Sequence, residues 1–256
     1  MSDKTIKVTT DTRGIATLTL ARPEKHNALS MEMMLEMTAA AQRLGADKTV
    51  RAVILAAEGK SFCAGADLNW MREQVDKTRE EKMAGGRVLA DMLAALNNLP
   101  KPLIGRVEGN AYGGGIGMMA VCDIVIATPN LRFALTETKL GLIPATIGPF
   151  VVRRLGEAFS RQVFFTGKSF DTDFAERASL VSTICASDEM DAAIETEITP
   201  ILQAAPDALA AAKALCMQLA GPVTDAEIDL TVEALADCWE NSEAQERIAA
   251  FFEKLS

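Results

Sequence analysis

The chain has one histidine, one tyrosine and five cysteines in 256 residues. The cysteines (Cys63, Cys122, Cys185, Cys216, Cys238) are odd in number, scattered and never in a C-x-x-C pair, which argues against a disulfide framework and a thiolate zinc site. With His26 as the sole imidazole, a Ser-His or Cys-His catalytic pair would have to use that residue. Positive charge is also scarce. There are 26 Lys and Arg against 35 Asp and Glu, a net charge of -9, which argues against nucleic acid and anionic membranes as partners. No apolar run reaches membrane-spanning length, because Asp123 interrupts the most hydrophobic stretch, and the start Met1-Ser2-Asp3-Lys4 lacks the apolar segment of a secretory leader. The expectation is a cytoplasmic protein without a bound metal.

What is present is apolar mass: 49% of residues, enough for a substantial core. Ile6 to Val8 and Ile15 to Leu20 alternate as a hairpin would, with a turn at Asp11-Thr12-Arg13-Gly14. Ser30 is placed to cap a helix running towards Leu44, with Glu32 in its first turn. Val50 to Ala56, Leu103 to Val107 and Ile124 to Ala127 read as buried strands, separated by helical segments near Glu80 to Leu96 and Ile116 to Ala120. Alternating strands and helices favour an α/β fold. Beyond about Asp188 the chain turns to Ala, Glu and Leu. Thr224-x-x-Glu227 and Ser242-x-x-Gln245 read as capping boxes there, and Pro200, Pro206 and Pro222 as breaks between helices. We therefore expect a core over residues 1–190 and a helical region over 191–256.

Gly113-Gly114-Gly115-Ile116-Gly117, then Cys122-Asp123, then Glu137 is the stretch richest in chemistry. Nucleotide readings fail on spacing: a G-x-G-x-x-G from Gly113 would need glycine at Met118, and a P-loop ending in Gly59-Lys60-Ser61 would need glycine at Ile54. The glycines are either a tight turn or a set of amides at a helix N-terminus, where a developing oxyanion is stabilised. Ser61-Phe62-Cys63-Ala64-Gly65-Ala66-Asp67-Leu68 offers the same choice, with Asp67 as the helix cap. Glu108 reads as a loop charge, Cys63 as a small buried residue and His26 as a loop histidine. Tyr112 fits either a pocket wall or the core.

Taken together, the segments Arg22-Pro23-Glu24-Lys25-His26-Asn27-Ala28-Leu29, Phe62 to Leu68, Gly113-Gly114-Gly115, Cys122-Asp123-Ile124, Phe133 to Pro144 and Thr166-Gly167 resemble the enoyl-CoA hydratase/isomerase (crotonase) superfamily along the whole chain. The run Thr136 to Ala145 and Val151 to Gly156 look most like bacterial methylglutaconyl-CoA hydratases. The resemblance implies a crotonase-like spiral of ββα units, with a C-terminal helical region used to form trimers or dimers of trimers. It implies an acyl-CoA thioester substrate, no cofactor beyond the substrate's CoA, and an oxyanion hole from the amides of Ala66 and Gly114. Contacts to substrate and CoA are implied for Lys25, His26, Ala28, Ala64, Ala66, Asp67, Leu68, Tyr112, Gly114 and Lys254, with Arg22 near in sequence.

Hydratases of this family carry two glutamates. One maps onto Glu137 as acid/base and the other onto Gly117, which has no side chain. Three readings stay open: a hydratase using Glu137 alone, helped by a carboxylate on the substrate; a Δ3,Δ2-enoyl-CoA isomerase with Glu137 as lone base; and an acyl-CoA-binding protein with little turnover. If the absent carboxylate limits hydration, placing Glu at position 117 should raise it.

Overall fold

A computed structural model describes residues 4–255; the Met1-Ser2-Asp3 start read above lies outside the described residues. Strands β1 (Ile6–Thr10) and β2 (Ile15–Leu20) form the expected antiparallel hairpin, and the Asp11 side chain closes its turn by accepting from the Arg13 and Ile15 amides. Ser30 caps α1 (Met31–Ala46) by accepting from the Met33 N–H.

The chain then repeats one sequence of moves. β3 (Ala52–Ala57) and β4 (Ser61–Cys63) lead into α2 (Leu68–Val75) and α3 (Arg79–Asn97). β5 (Leu103–Val107) and β6 (Asn110–Tyr112) lead into α4 (Gly114–Ala120). β7 (Ile124–Ala127) and β8 (Arg132–Ala134) lead into a 3₁₀ turn at Glu137–Leu140 and then α5 (Gly148–Thr166). β9 (Phe170–Asp171), α6 (Thr172–Arg177) and β10 (Thr183–Ile184) follow. First strands join first strands in a 6-stranded sheet, β1-β2-β3-β5-β7-β10, parallel from β2 onward. Second strands make a 4-stranded sheet, β4-β6-β8-β9, in which only the β8–β9 pair is antiparallel. These are the ββα turns expected. Because each turn repeats the register of the last, the loops that follow β4, β6 and β8 lie side by side.

β3, β5 and β7 are apolar along most of their length because both sheet faces are covered. On one face Ile15, Ala52, Ile104 and Ile126 are covered by Met190, Ile194 and Ile198 of α7 (Met190–Gln203), spaced to fall on one side of that helix. Each large side chain buried in this way contributes about 1.5–3 kcal/mol. The opposite face holds the main core, including Met33, Met37, Leu55, Leu93 and Leu96.

Helices α8 (Pro206–Ala220), α9 (Asp225–Glu240) and α10 (Ser242–Glu253) complete the chain. Thr224 and Glu227 form the expected capping box of α9. Two expectations are corrected. Pro200 lies inside α7, near its end, rather than between helices. The cap of α10 is Asn241, whose side chain accepts from the Glu243 N–H, so that Ser242 is already helical. α9 packs Ile228 and Val232 against Ala90 of α3, and α10 packs Ala244 and Ile248 beside Leu142 and Trp239. No helix among the described residues is long and apolar enough to cross a membrane.

Candidate active site

The neighbouring loops after β4 and β6 place two amide groups together. Gly113 takes φ 49° and ψ -117°, a conformation open essentially to glycine alone, and turns the chain into α4 so that Gly114 begins the helix with its N–H unbonded. Gly65, at φ 89°, packs against it: a Cβ on Gly113 would lie 3.7 Å from Gly65 Cα. On the other side, Leu29 donates to the Gly65 carbonyl and accepts from the Asp67 N–H, which leaves the Ala66 amide out of the bridge. Among the described residues neither the Ala66 nor the Gly114 N–H donates to a protein acceptor. Two such donors, fixed before any ligand arrives, can stabilise one developing oxyanion.

Glu137 comes from the third adjacent loop. Its Oε1 lies 3.2 Å from where a Cβ on Gly113 would stand, and its Oε2 is buried without a hydrogen-bond partner. Part of the side chain remains accessible, but the carboxyl group itself sits among apolar walls. Desolvation raises its pKa to about 7, opposed only by its own backbone N–H. A carboxyl that titrates there can both accept and return a proton at neutral pH.

These groups open into one cavity of about 460 Å³, walled by Leu29, Met34, Leu68, Met71, Leu89 and Ile143 among others. Ala64, Ala66, Leu68, Tyr112, Gly114 and Glu137, all expected from the sequence, line it. Lys25, His26, Ala28, Asp67, Gly117 and Lys254 do not. Lys25, His26 and Lys254 are exposed; α10 carries Phe251 to the cavity and Lys254 just beyond it.

Several polar residues have structural partners. Asp67 accepts from the Asn69 N–H and pairs with Arg22 at 3.0 Å, while Arg22 also donates to the Ala28 carbonyl. Buried Asn27, at φ 52°, donates to the Glu58 and Ser61 carbonyls and accepts from the Arg22 N–H, fixing the loop that presents Lys25 and His26. His26 Nδ1 lies 3.1 Å from Ser61 Oγ. Glu108 accepts from Arg106 and Ser187. Cys63 is buried, and desolvation pushes its thiol up to about 12, so it is not a thiolate nucleophile.

Gly117 is closed off rather than vacant. A Cβ there would lie 2.9 Å from Ile147 Cγ2 and 3.3 Å from Leu93 Cδ1, so Ile147 fills the space that a side chain at position 117 would need. Sequence reading also missed Trp70, Trp239, Phe251 and Thr146 as cavity residues. The signal available was scarcity: both tryptophans and the only tyrosine of the chain face this one cavity.

Residues 10–256 match the family described as Enoyl-CoA hydratase/isomerase. The chain is 32% identical over 243 residues to the short-chain-enoyl-CoA hydratase of Clostridium acetobutylicum, covering 94% of this chain and 92% of that one. Among solved structures it is similar to an enoyl-CoA hydratase from Mycobacterium avium, at 30% identity and TM-score 0.87, covering 99% and 98% of the two chains. It is similar also to one from Shewanella pealeana, at 35% identity and TM-score 0.82, covering 98% and 94%.

Proposed function

The chain belongs to the enoyl-CoA hydratase/isomerase family, with the α/β crotonase fold, and on that premise we propose that it hydrates a short or branched enoyl-CoA thioester with Glu137 as the only carboxyl acid/base. The observation that carries this reading is the meeting of the unbonded Ala66 and Gly114 amides with the buried Glu137 carboxyl in one cavity. The thioester oxygen lies between the two amides. Glu137 takes a proton from water, the hydroxyl oxygen adds to the β-carbon, and the π electrons move onto the thioester oxygen. Glu137 then returns the proton to the α-carbon as the thioester carbonyl re-forms, so that one water is added in all. The electron sink is the thioester itself, so the step draws on no metal or redox group. Removing one such amide donor costs about 3 kcal/mol of barrier in other oxyanion holes. Lys25 and Lys254 are the cations offered to the CoA phosphates on an acidic chain, with His26 beside Lys25 in the same loop.

The closed space at Gly117 supports a second reading: a Δ3,Δ2-enoyl-CoA isomerase, in which Glu137 carries a proton from one carbon to another and water takes no part. The two separate in one assay panel of crotonyl-CoA, 3-methylglutaconyl-CoA and a 3-enoyl-CoA, following the conjugated thioester absorbance beside Glu137→Gln. 3-Methylglutaconyl-CoA is included because the run Thr136 to Ala145 is most like hydratases acting on it. Loss of an enoyl absorbance in the wild type, abolished in the variant, supports hydration. Conversion of the 3-enoyl substrate alone transfers the conclusion to isomerase, binding without any turnover makes the chain an acyl-CoA-binding protein, and full activity in Glu137→Gln rejects both mechanisms.

A further inference from the structure

Beyond the loops that carry Ala66, Gly114 and Glu137, the cavity is walled by helices. α2 contributes Leu68, Trp70 and Met71, α9 contributes Leu235 and Trp239, and α10 contributes Phe251. Of these only Trp239 is buried; the others keep accessible surface, Leu68 as much as 42%. Apolar surface left open on three helices around one cavity is surface that an apolar ligand would cover. A crotonyl group, with a single methyl beyond its double bond, is too small to cover it.

None of these wall residues is charged. Among the described residues that line the cavity only Glu137 and Lys139 carry charge. The Lys139 stem lies along Gly167 at the end of α5, its Cγ and Cε 3.4 and 3.0 Å from where a Cβ on Gly167 would stand. A carboxylate between α2 and α9 would be desolvated with no cation lining that end. It would also be a second negative charge near Glu137, holding that carboxyl in the protonated form that cannot take a proton from water.

The depth of the cavity follows from how α2 and α9 meet α3. Leu235 and Trp239 are one helical turn apart, about 6 Å along α9, and both face the cavity. Ile228 and Val232, earlier on α9, are shut against α3 instead: both pack on Ala90, and Val232 Cγ1 lies 3.6 Å from where a Cβ on Gly86 would stand. The Trp70 indole is laid on the neighbouring residue of α3, its Cζ2 3.4 Å from where a Cβ on Gly85 would stand. Gly85 and Gly86 do not line the cavity, so Trp70 stands between it and α3. Gly85 has no side chain to fill the space, and truncating the indole would extend the cavity towards α3.

We infer that the site takes an uncharged, apolar acyl chain longer than crotonyl, and that the Trp70 indole, seated on Gly85, sets the longest chain admitted. This rests on the reading of the cavity as an acyl-CoA site and narrows it away from dicarboxylic thioesters.

The test is calorimetric titration with saturated acyl-CoAs of graded length, from butanoyl-CoA upwards, each ending in methyl or carboxylate. Saturated chains cannot be hydrated or isomerised, so binding is read independently of the reaction. In the wild type each added methylene should tighten binding about fourfold up to a limiting length, and a terminal carboxylate should weaken it at least about tenfold. Trp70→Ala should move the limit to longer chains, and Trp70→Phe should move it by a smaller step; if Trp70→Ala does not fold, the milder variant decides. Tightest binding at butanoyl-CoA, or carboxylate-terminated chains binding as well as methyl-terminated ones, would overturn the assignment of the chain. A limit that stays in place in the folded variants would overturn the role of Trp70. Failure of every thioester to bind would reject the acyl-CoA site itself, whereas failure of turnover with the length profile intact would reject only the proposed reaction.

Discussion

At the scale of single residues, Glu137 makes pH the most direct probe. Its carboxyl is the base only when ionised, and burial raises its pKa to about 7, so kcat/KM for hydration should fall as pH drops below that value. The same shift has a stability consequence of defined sign. A carboxyl whose pKa rises from 4.5 to about 7 on folding stabilises the fold fully below the lower value and loses that contribution as pH rises through the higher one. Glu137→Gln should therefore be more stable than the wild type near pH 8, by about 1–3 kcal/mol, with the gap closing near pH 4; urea denaturation across that range measures it. Gly117 revises a simpler expectation. With Ile147 Cγ2 at 2.9 Å from the Cβ position, Gly117→Glu alone should cost about 1–3 kcal/mol by overpacking and bring no gain in hydration. Added to Ile147→Ala, it should raise crotonyl-CoA hydration above that of Ile147→Ala alone, and equal rates in the two would remove the absent carboxylate as the limit.

At the scale of elements, the loop from Glu137 to Ile147 depends on α10. Gly141 takes φ 75°, and a Cβ there would lie 2.6 Å from Ala244 Cα. Gly141→Ala should push α10 off the loop, weakening acyl-CoA binding and raising amide hydrogen exchange in α10 before the global unfolding transition; unchanged exchange would show the contact to be dispensable. Elements with strong local signals were legible in the sequence. Ser30 before α1, the turn at Asp11, and the apolar runs of β3, β5 and β7 each carry their information within a few residues. β4, β6 and β8 do not, because the three residues of each are too few to show alternation, and these strands set the loops of the site. α5 is interrupted by Gly156 at φ 74°, which breaks its periodicity. At α10, Asn241 and Ser242 are both capping residues, and local sequence could not choose between them. Ala66, Gly114 and Glu137 were reachable through motifs, whereas Trp70 and Trp239 reach the same cavity only through the packing of α2 and α9 against α3.

For the whole molecule, the apolar side chains of α8 are left largely uncovered within one chain. None of its residues is buried, and Leu215 and Leu219 are 54% and 78% exposed. If copies assemble as a trimer or a dimer of trimers through this region, Leu215→Glu and Leu219→Glu together should lower the mass seen by light scattering to that of one chain; a wild-type monomer would dismiss the assembly. The spiral has a consequence of another kind. Each successive turn delivers one component of the proposed site: Ala66 after β4, Gly114 after β6 and Glu137 after β8. The two backbone donors depend on chain path and not on side-chain identity, so they persist through most substitutions, while the proton carrier is a single replaceable side chain. Such an arrangement separates what is inherited with the fold from what can be exchanged upon it, and it allows one thioester-holding frame to change reactions by altering a single coil.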